Sequence, residues 1–322
     1  MEIASCGIFI CQSHALHCAL TKHLIKKEFS VLSNIKKAFK LAALPIALTV
    51  SNAVWADSSV WKVSKGDAHL FVGGTVHLLP ADQFPLPEEF EKAYKASESI
   101  VLEVIDLDPQ SPEIQQKIMA NMMYQDGRTL QSVLSEETYQ QLAKVCAEYG
   151  MPIENLTMFK PALISIMLTM AEFTNLGMAG EGVDKFFEEK AKSDNKARSG
   201  LETIDYQISV ISSFGEGVEE DFVKKTLADL PKTKEMFGGL IKAWRAGDMD
   251  SLHAIMGEAM LGYSEELYYN LLVKRNNDWV PKISDMLTTK EVEFILVGAG
   301  HLAGEEGVLQ QLINKGYTVE QL

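Results

Sequence analysis

The chain has 322 residues, 47% hydrophobic and 23% charged, with 44 acidic against 30 basic residues and a formal charge of −14. Such a composition suits one large or two small globular domains with a sizeable core. The acidic balance, without a basic patch or basic residues interleaved with aromatic ones, argues against nucleic acid and anionic membrane surfaces as partners.

Residues 1–56 stand apart. Lys36, Lys37 and Lys40 precede an apolar segment at 41–50, and Val54-Trp55-Ala56 puts small residues where signal peptidase cuts. The apolar run is too short for a membrane span. The reading is an N-terminal extension and signal peptide over 1–56, cleavage after Ala56, and one domain over 57–322 in the periplasm or outside the cell. A retained anchor is the alternative, because the apolar run lies far from Met1. Removing 1–56 takes away six lysines and two glutamates, leaving 24 basic against 42 acidic residues and a formal −18. It also removes Cys6, Cys11 and Cys18, so Cys146 has no disulfide partner and reads as a buried apolar residue on a helix.

In chain order, 60–63 and 69–72 read as strands joined by the turn Ser64-Lys65-Gly66-Asp67. Gly74-Thr75-Val76-His77 follows. Pro80, Pro85 and Pro87 mark a loop, and a helix with proline and acids in its first turn runs to about Ser97. Residues 99–105 read as a buried strand containing Glu103. From 111 to 173 the pattern is helical and rich in methionine; Met119, Met122, Met123, Met167, Met170 and Met178 read first as core packing. An amphipathic helix covers 182–197, a short strand with Glu202 covers 200–204, and 206–250 is helical. A helix over 265–275 gives way to a second one opened by Arg275-Asn276. The strand 294–297, the turn Gly298-Ala299-Gly300-His301, a helix to Lys315 and an edge strand at 317–319 close the chain.

Two histidines, His77 and His301, each lie three residues after a glycine that ends an apolar run. Glycine lets the backbone turn sharply on leaving a sheet, and ligands of open α/β sheets gather beyond the carboxyl ends of strands. Taken alone, either histidine reads equally well as a helix cap. Together with Glu103 and Glu202 they make a set of two imidazoles and two carboxylates, suited to a divalent ion such as Mn, Co, Zn or Fe. One glutamate would be a ligand and the other a general base. Glu103 has only apolar neighbours in its strand, so it needs a partner or a metal; a salt bridge is the bland alternative. Arg275 reads either as a cation for substrate carboxylate or oxyanion, or as the partner of a glutamate. His69 and His253 read as incidental.

The segments GTVH at 74–77, LEV at 102–104, GVDKFF at 182–187, GLET at 200–203 with Gln207, RN at 275–276 and VGAGHLAGEEGVLQQL at 297–312 resemble the TraB/PrgY/GumN family, and the TIKI metalloproteases belong to the same broad group. The resemblance spans nearly all of 59–322. It implies an α/β fold of the erythromycin-esterase-like or TIKI-like kind: a central mixed β-sheet flanked by helices, with a largely helical middle region. It further implies a metal-dependent hydrolase, a peptidase acting on peptides or proteins, with His77, Glu103, Glu202 and His301 on the metal and Glu103, Glu202 and Arg275 in catalysis. The competing expectation is a peptide- or polysaccharide-binding protein that keeps the scaffold without turnover.

Overall fold

The structure, a computed structural model, describes residues 58–108 and 110–322; the expected leader and cleavage site lie outside them. Six strands form one mixed sheet: β1 (Val60–Lys65), β2 (Ala68–Thr75), β3 (Ser99–Leu102), β4 (Ala197–Gly200), β5 (Glu293–Gly298) and β6 (Thr318–Gln321). Their spatial order is β4-β3-β5-β2-β1-β6. Strands β4, β3, β5 and β2 run parallel; β1 pairs antiparallel with β2 and β6. The expected α/β sheet is therefore present, with antiparallel pairing confined to one edge.

The central strand explains the two-layered core. Every residue of β5 is buried, as a parallel strand covered on both faces requires. Phe294 and Leu296 join Ile100, Leu102, Phe90, Phe187 and Trp244 on one face. Ile295 and Val297 join Val72, Val101, Trp279, Ile283 and Leu312 on the other. This is the period-two alternation of a strand read directly in the packing.

Helices α1 (Glu88–Ala96), α2 (Pro112–Met122), α3 (Glu136–Glu148), α4 (Pro161–Asn175), α5 (Val183–Asp194), α6 (Ile204–Ser212), α7 (Glu219–Asp229), α8 (Thr233–Arg245), α9 (Lys274–Met286) and α10 (Val308–Asn314) surround the sheet, with shorter turns between them. The middle region has a core of its own, in which Leu130, Leu142, Ile164, Leu168 and Val223 pack around the buried Cys146. Of the six methionines assigned to core packing, only Met122 is fully buried; Met119 and Met170 are each 41% exposed. Their helices turn those positions outward, away from the local core.

Three element boundaries differ from expectation. Glu103 lies one residue beyond β3. The helix expected to reach 197 stops at Asp194, where Asn195 adopts a left-handed conformation, φ 54°. The next strand is consequently β4, pairing Gly200 with Leu102, and Glu202 lies beyond it. Finally, Arg275 does not open a new helix. A one-turn helix at Glu265–Tyr268 runs through a π-helical turn at Tyr269–Val273 directly into α9. The extra residue in that turn rotates the following face.

Candidate functional site

Parallel strands deliver the site. β2 ends at Thr75, β3 at Leu102 and β5 at Gly298, with Thr75 paired to Gly298 and Leu102 to Leu296. His77, Glu103 and His301 follow these ends within three residues. Glu202 follows β4, and Arg275 enters from α9. The structure thus gathers all five residues singled out in the sequence beyond the carboxyl ends of the parallel strands.

Arg275 is the hub, only 3% exposed. Its Nη2 donates to Glu103 Oε2 and Glu202 Oε1, each at 2.6 Å. Nε donates to Glu202 Oε2 at 3.0 Å, and Nη1 donates to His301 Nε2 at 2.8 Å and to the Leu271 carbonyl at 3.2 Å. Every N–H of the guanidinium is engaged by the protein. Of the two roles left open for Arg275, pairing with glutamate is the one its geometry displays.

Further contacts lock the partners. Gly298 N–H donates to Glu103 Oε1 at 2.7 Å, and Gln207 Nε2 donates to Oε2 at 3.1 Å. His301 Nδ1 lies 2.7 Å from Asn276 Oδ1. An amide oxygen only accepts, so Nδ1 carries the proton and Nε2 offers its lone pair to Arg275. Asn276 Nδ2 in turn donates to the Glu306 carbonyl at 2.9 Å. Trp279 forms the floor: its indole donates to Glu202 at 3.2 Å, its ring lies 4.3 Å from the His301 ring, and the guanidinium lies 4.7 Å over it.

Charge follows from these contacts. Burial alone would raise the Glu103 carboxyl, but His301, Arg275, His77 and the Gly298 N–H outweigh it and hold it down to about 2. Burial pushes His301 down to about 3, with Arg275 and His77 reinforcing the fall against Glu103, so the ring is neutral. Burial raises Glu202 despite Arg275. One guanidinium serves two carboxylates, and the Gly298 N–H holds the remaining Glu103 oxygen, Oε1.

His77 is the open member, its side chain 64% accessible. Its Nδ1 lies 3.2 Å from Asp184 Oδ1. Crowding at the strand ends lowers the ring's proton affinity, but Asp184 and then Glu103 lift it further, up to about 9. Its Nε2 lies on the side of Gly298 where a side chain would project. A Cβ on Gly298 would stand 3.2 Å from Glu103 Oε1, 3.6 Å from His77 Nε2 and 3.7 Å from His301 Cδ2. One carboxylate oxygen, one imidazole nitrogen and the edge of a second imidazole therefore bound one small space.

The model of the TraB/PrgY/gumN family matches residues 59–321, the whole sheet and every residue of the cluster. The chain belongs to the TraB/PrgY/gumN family. It is 23% identical over 278 residues to the uncharacterized protein YbaP of Escherichia coli (strain K12), covering 85% of this chain and 98% of that protein. The YbaP of Shigella flexneri matches with the same identity and coverage. No solved structure matches the chain.

In this TraB/PrgY/gumN chain, sequence reasoning overlooked Asp184, Asn276 and Trp279 and assigned no role to Gln207. Gln207, Asp184 and Asn276 lie inside segments that carry the family resemblance. Asn276 and Trp279 follow Arg275 at one and four residues, a helical spacing that puts Trp279 on the same face. That spacing is the signal that could have found Trp279.

The expected metal shell is a different matter. Among the described residues no three His, Cys, Asp or Glu side chains are grouped to hold an ion. Arg275 stands between them and takes both Glu202 oxygens, one Glu103 oxygen and the His301 lone pair. A ligand must present a free lone pair to the ion. Only His77 Nε2 and Glu103 Oε1 face the open space, fewer than the roughly three or four protein ligands usual for such ions. As arranged, the four residues do not fit the ion.

Proposed function

We propose that this protein is an exported hydrolase that cleaves acyl bonds, with peptides as the substrate class, in the space before Gly298. The observation that carries the reading is the convergence there of His77 Nε2 and Glu103 Oε1, 3.6 and 3.2 Å from one point. A water between them meets a nitrogen base and a carboxylate that a buried cation network holds charged. His77 takes the water proton at Nε2 as the water oxygen bonds to the carbonyl carbon, a step that needs the neutral ring and therefore gains rate as pH rises toward about 9. The carbon–nitrogen bond then breaks, and the same proton passes from Nε2 to the departing amine. Glu103 orients the water and balances the imidazolium that forms. Arg275 and Glu202 touch neither water nor substrate; they keep Glu103 and His301 in place.

A second reading keeps the metal, because the same two atoms are also donors. A Mn, Co, Zn or Fe ion there would require Arg275 to release His301 and Glu103. Metal analysis of protein prepared without chelator separates the readings. Protein that cleaves a mixed peptide library while free of stoichiometric metal supports the first. One tightly bound transition metal, lost from His77→Ala and His301→Ala alike, supports the second. A protein that binds peptides or polysaccharides without cleaving them would contradict both. For export, N-terminal sequencing of the periplasmic protein is expected to begin at Asp57; an intact N-terminus in the cytoplasm would contradict it.

A further inference from the structure

His77 differs from His301 in one respect that matters for a base. His301 is buried and has both ring nitrogens engaged, by Asn276 and Arg275. His77 is largely exposed, and an exposed imidazole without a partner turns freely and exchanges its two nitrogens. Something must hold its Nε2 toward Gly298.

The chain builds that hold from the GVD triplet at 182–184. Gly182 lies against the His77 backbone: a Cβ there would stand 2.3 Å from the His77 carbonyl oxygen and 2.8 Å from its Cα. No side chain fits. Val183 N–H donates to the Val76 carbonyl at 3.0 Å. The start of α5 is thus tied to the backbone on both sides of the Val76–His77 peptide. Asp184, the next residue, then reaches His77 Nδ1 at 3.2 Å. Among the described residues His77 is its only side-chain hydrogen-bond or ion-pair partner. Gly182 caps α5 without a side-chain hydrogen bond, and among the described residues the Asp184 carboxylate bonds to none of the helix's backbone N–H groups either. Its carboxylate only accepts, so the contact puts a proton on Nδ1 and turns Nε2 the other way, toward the point that Glu103 Oε1 shares.

We propose that Asp184 is a positioning residue: it selects the Nδ1–H form of His77 and aims Nε2 at the space before Gly298. The ring geometry stands on its own contacts; its consequence for rate rests on the hydrolase reading above. A carboxylate in the first turn of a helix also has an ordinary structural role, favoured by the helix dipole.

The test uses the full chain labelled with 15N-histidine, the His77 signals being those missing from His77→Gln. Wild type is expected to show a His77 Nδ1 proton protected from solvent exchange. Asp184→Ala is expected to lose it, while Asp184→Asn, which keeps an acceptor oxygen but no charge, is expected to retain it. Turnover of a mixed-sequence fluorogenic peptide library is the second readout. Asp184→Ala is expected to lower kcat about tenfold or more with KM held within about threefold, and Asp184→Asn to recover part of the loss. A purely structural carboxylate would instead move the unfolding midpoint of both variants alike and leave the ring signal untouched. A protected Nδ1 proton in Asp184→Ala overturns the proposal, as does wild-type kcat in Asp184→Ala when His77→Gln is inactive. If His77→Gln cleaves as wild type does, the hydrolase reading falls, and the ring signal alone still decides the role of Asp184.

Discussion

Gly298 sets the size of the reaction space, and its backbone is ordinary, with φ −50° and ψ 131°. Alanine is therefore allowed at that position, but its methyl would stand where water and substrate must sit. Gly298→Ala is expected to lose nearly all turnover while shifting the unfolding midpoint by less than about 4 °C; wild-type turnover would remove the space before Gly298 from the mechanism. Arg275 behaves in the opposite way. Deleting its head group strands two buried carboxylates, so Arg275→Met is expected to cost about 3–5 kcal/mol in denaturant titrations, whereas a surface arginine would cost almost nothing. At this scale His77, Glu103 and His301 were legible because each follows an apolar run that ends where its strand leaves the sheet. Asp184 and Trp279 were not, because their roles exist only where distant segments meet: Asp184 with a histidine 107 positions away, Trp279 with Glu202 77 positions away.

Among the elements, the strands were the readable part. The hairpin of β1 and β2, the buried β3 and the fully apolar center of β5 follow from residue type and turn chemistry. Misplacement came where a single residue decides a boundary. Asn195 ends α5 by taking a left-handed conformation that asparagine tolerates, and a helical pattern of charged residues through 190–197 hides it. The π-helical turn before α9 left no compositional trace, yet it sets which face carries Arg275. The junction of β2 with α5 is the most demanding contact between elements. Gly182→Ala would press a methyl into the His77 carbonyl, and overpacking of this kind costs about 1–3 kcal/mol. The variant is expected to unfold at lower denaturant and to lose the His77–Asp184 contact; unchanged stability would mean that α5 and β2 are free to separate.

For the whole molecule, the two motif histidines pull stability in opposite directions with pH. His301 resists protonation down to about 3 although the unfolded ring takes a proton near 6.5, so stability falls as pH drops below 6.5. Glu103, held to about 2 against an ordinary 4.5, adds a further loss below 4.5. His77 keeps its proton up to about 9, so its contribution is whole below 6.5 and is lost as pH rises through 9. That alkaline limb is the shallower one, since water screens the exposed ring. Stability measured by urea unfolding is expected to peak near pH 6.5, with His77→Gln flattening the alkaline side; a peak below about pH 5 would contradict this charge assignment. Among the described residues no helix is long and apolar enough to cross a membrane.

The fold places five polar residues from five separate segments beyond the carboxyl ends of the parallel strands, and the proposal is that this site hydrolyses peptide bonds through His77. The most direct measurement is mass-spectrometric analysis of a mixed peptide library incubated with purified wild type, His77→Gln and Gly298→Ala, with metal content determined on the same samples. New peptide termini are expected with wild type and absent with both variants, while all three retain cooperative unfolding. Identical product patterns from the three proteins, or intact peptides with every one of them, would contradict the assignment of hydrolysis to this site.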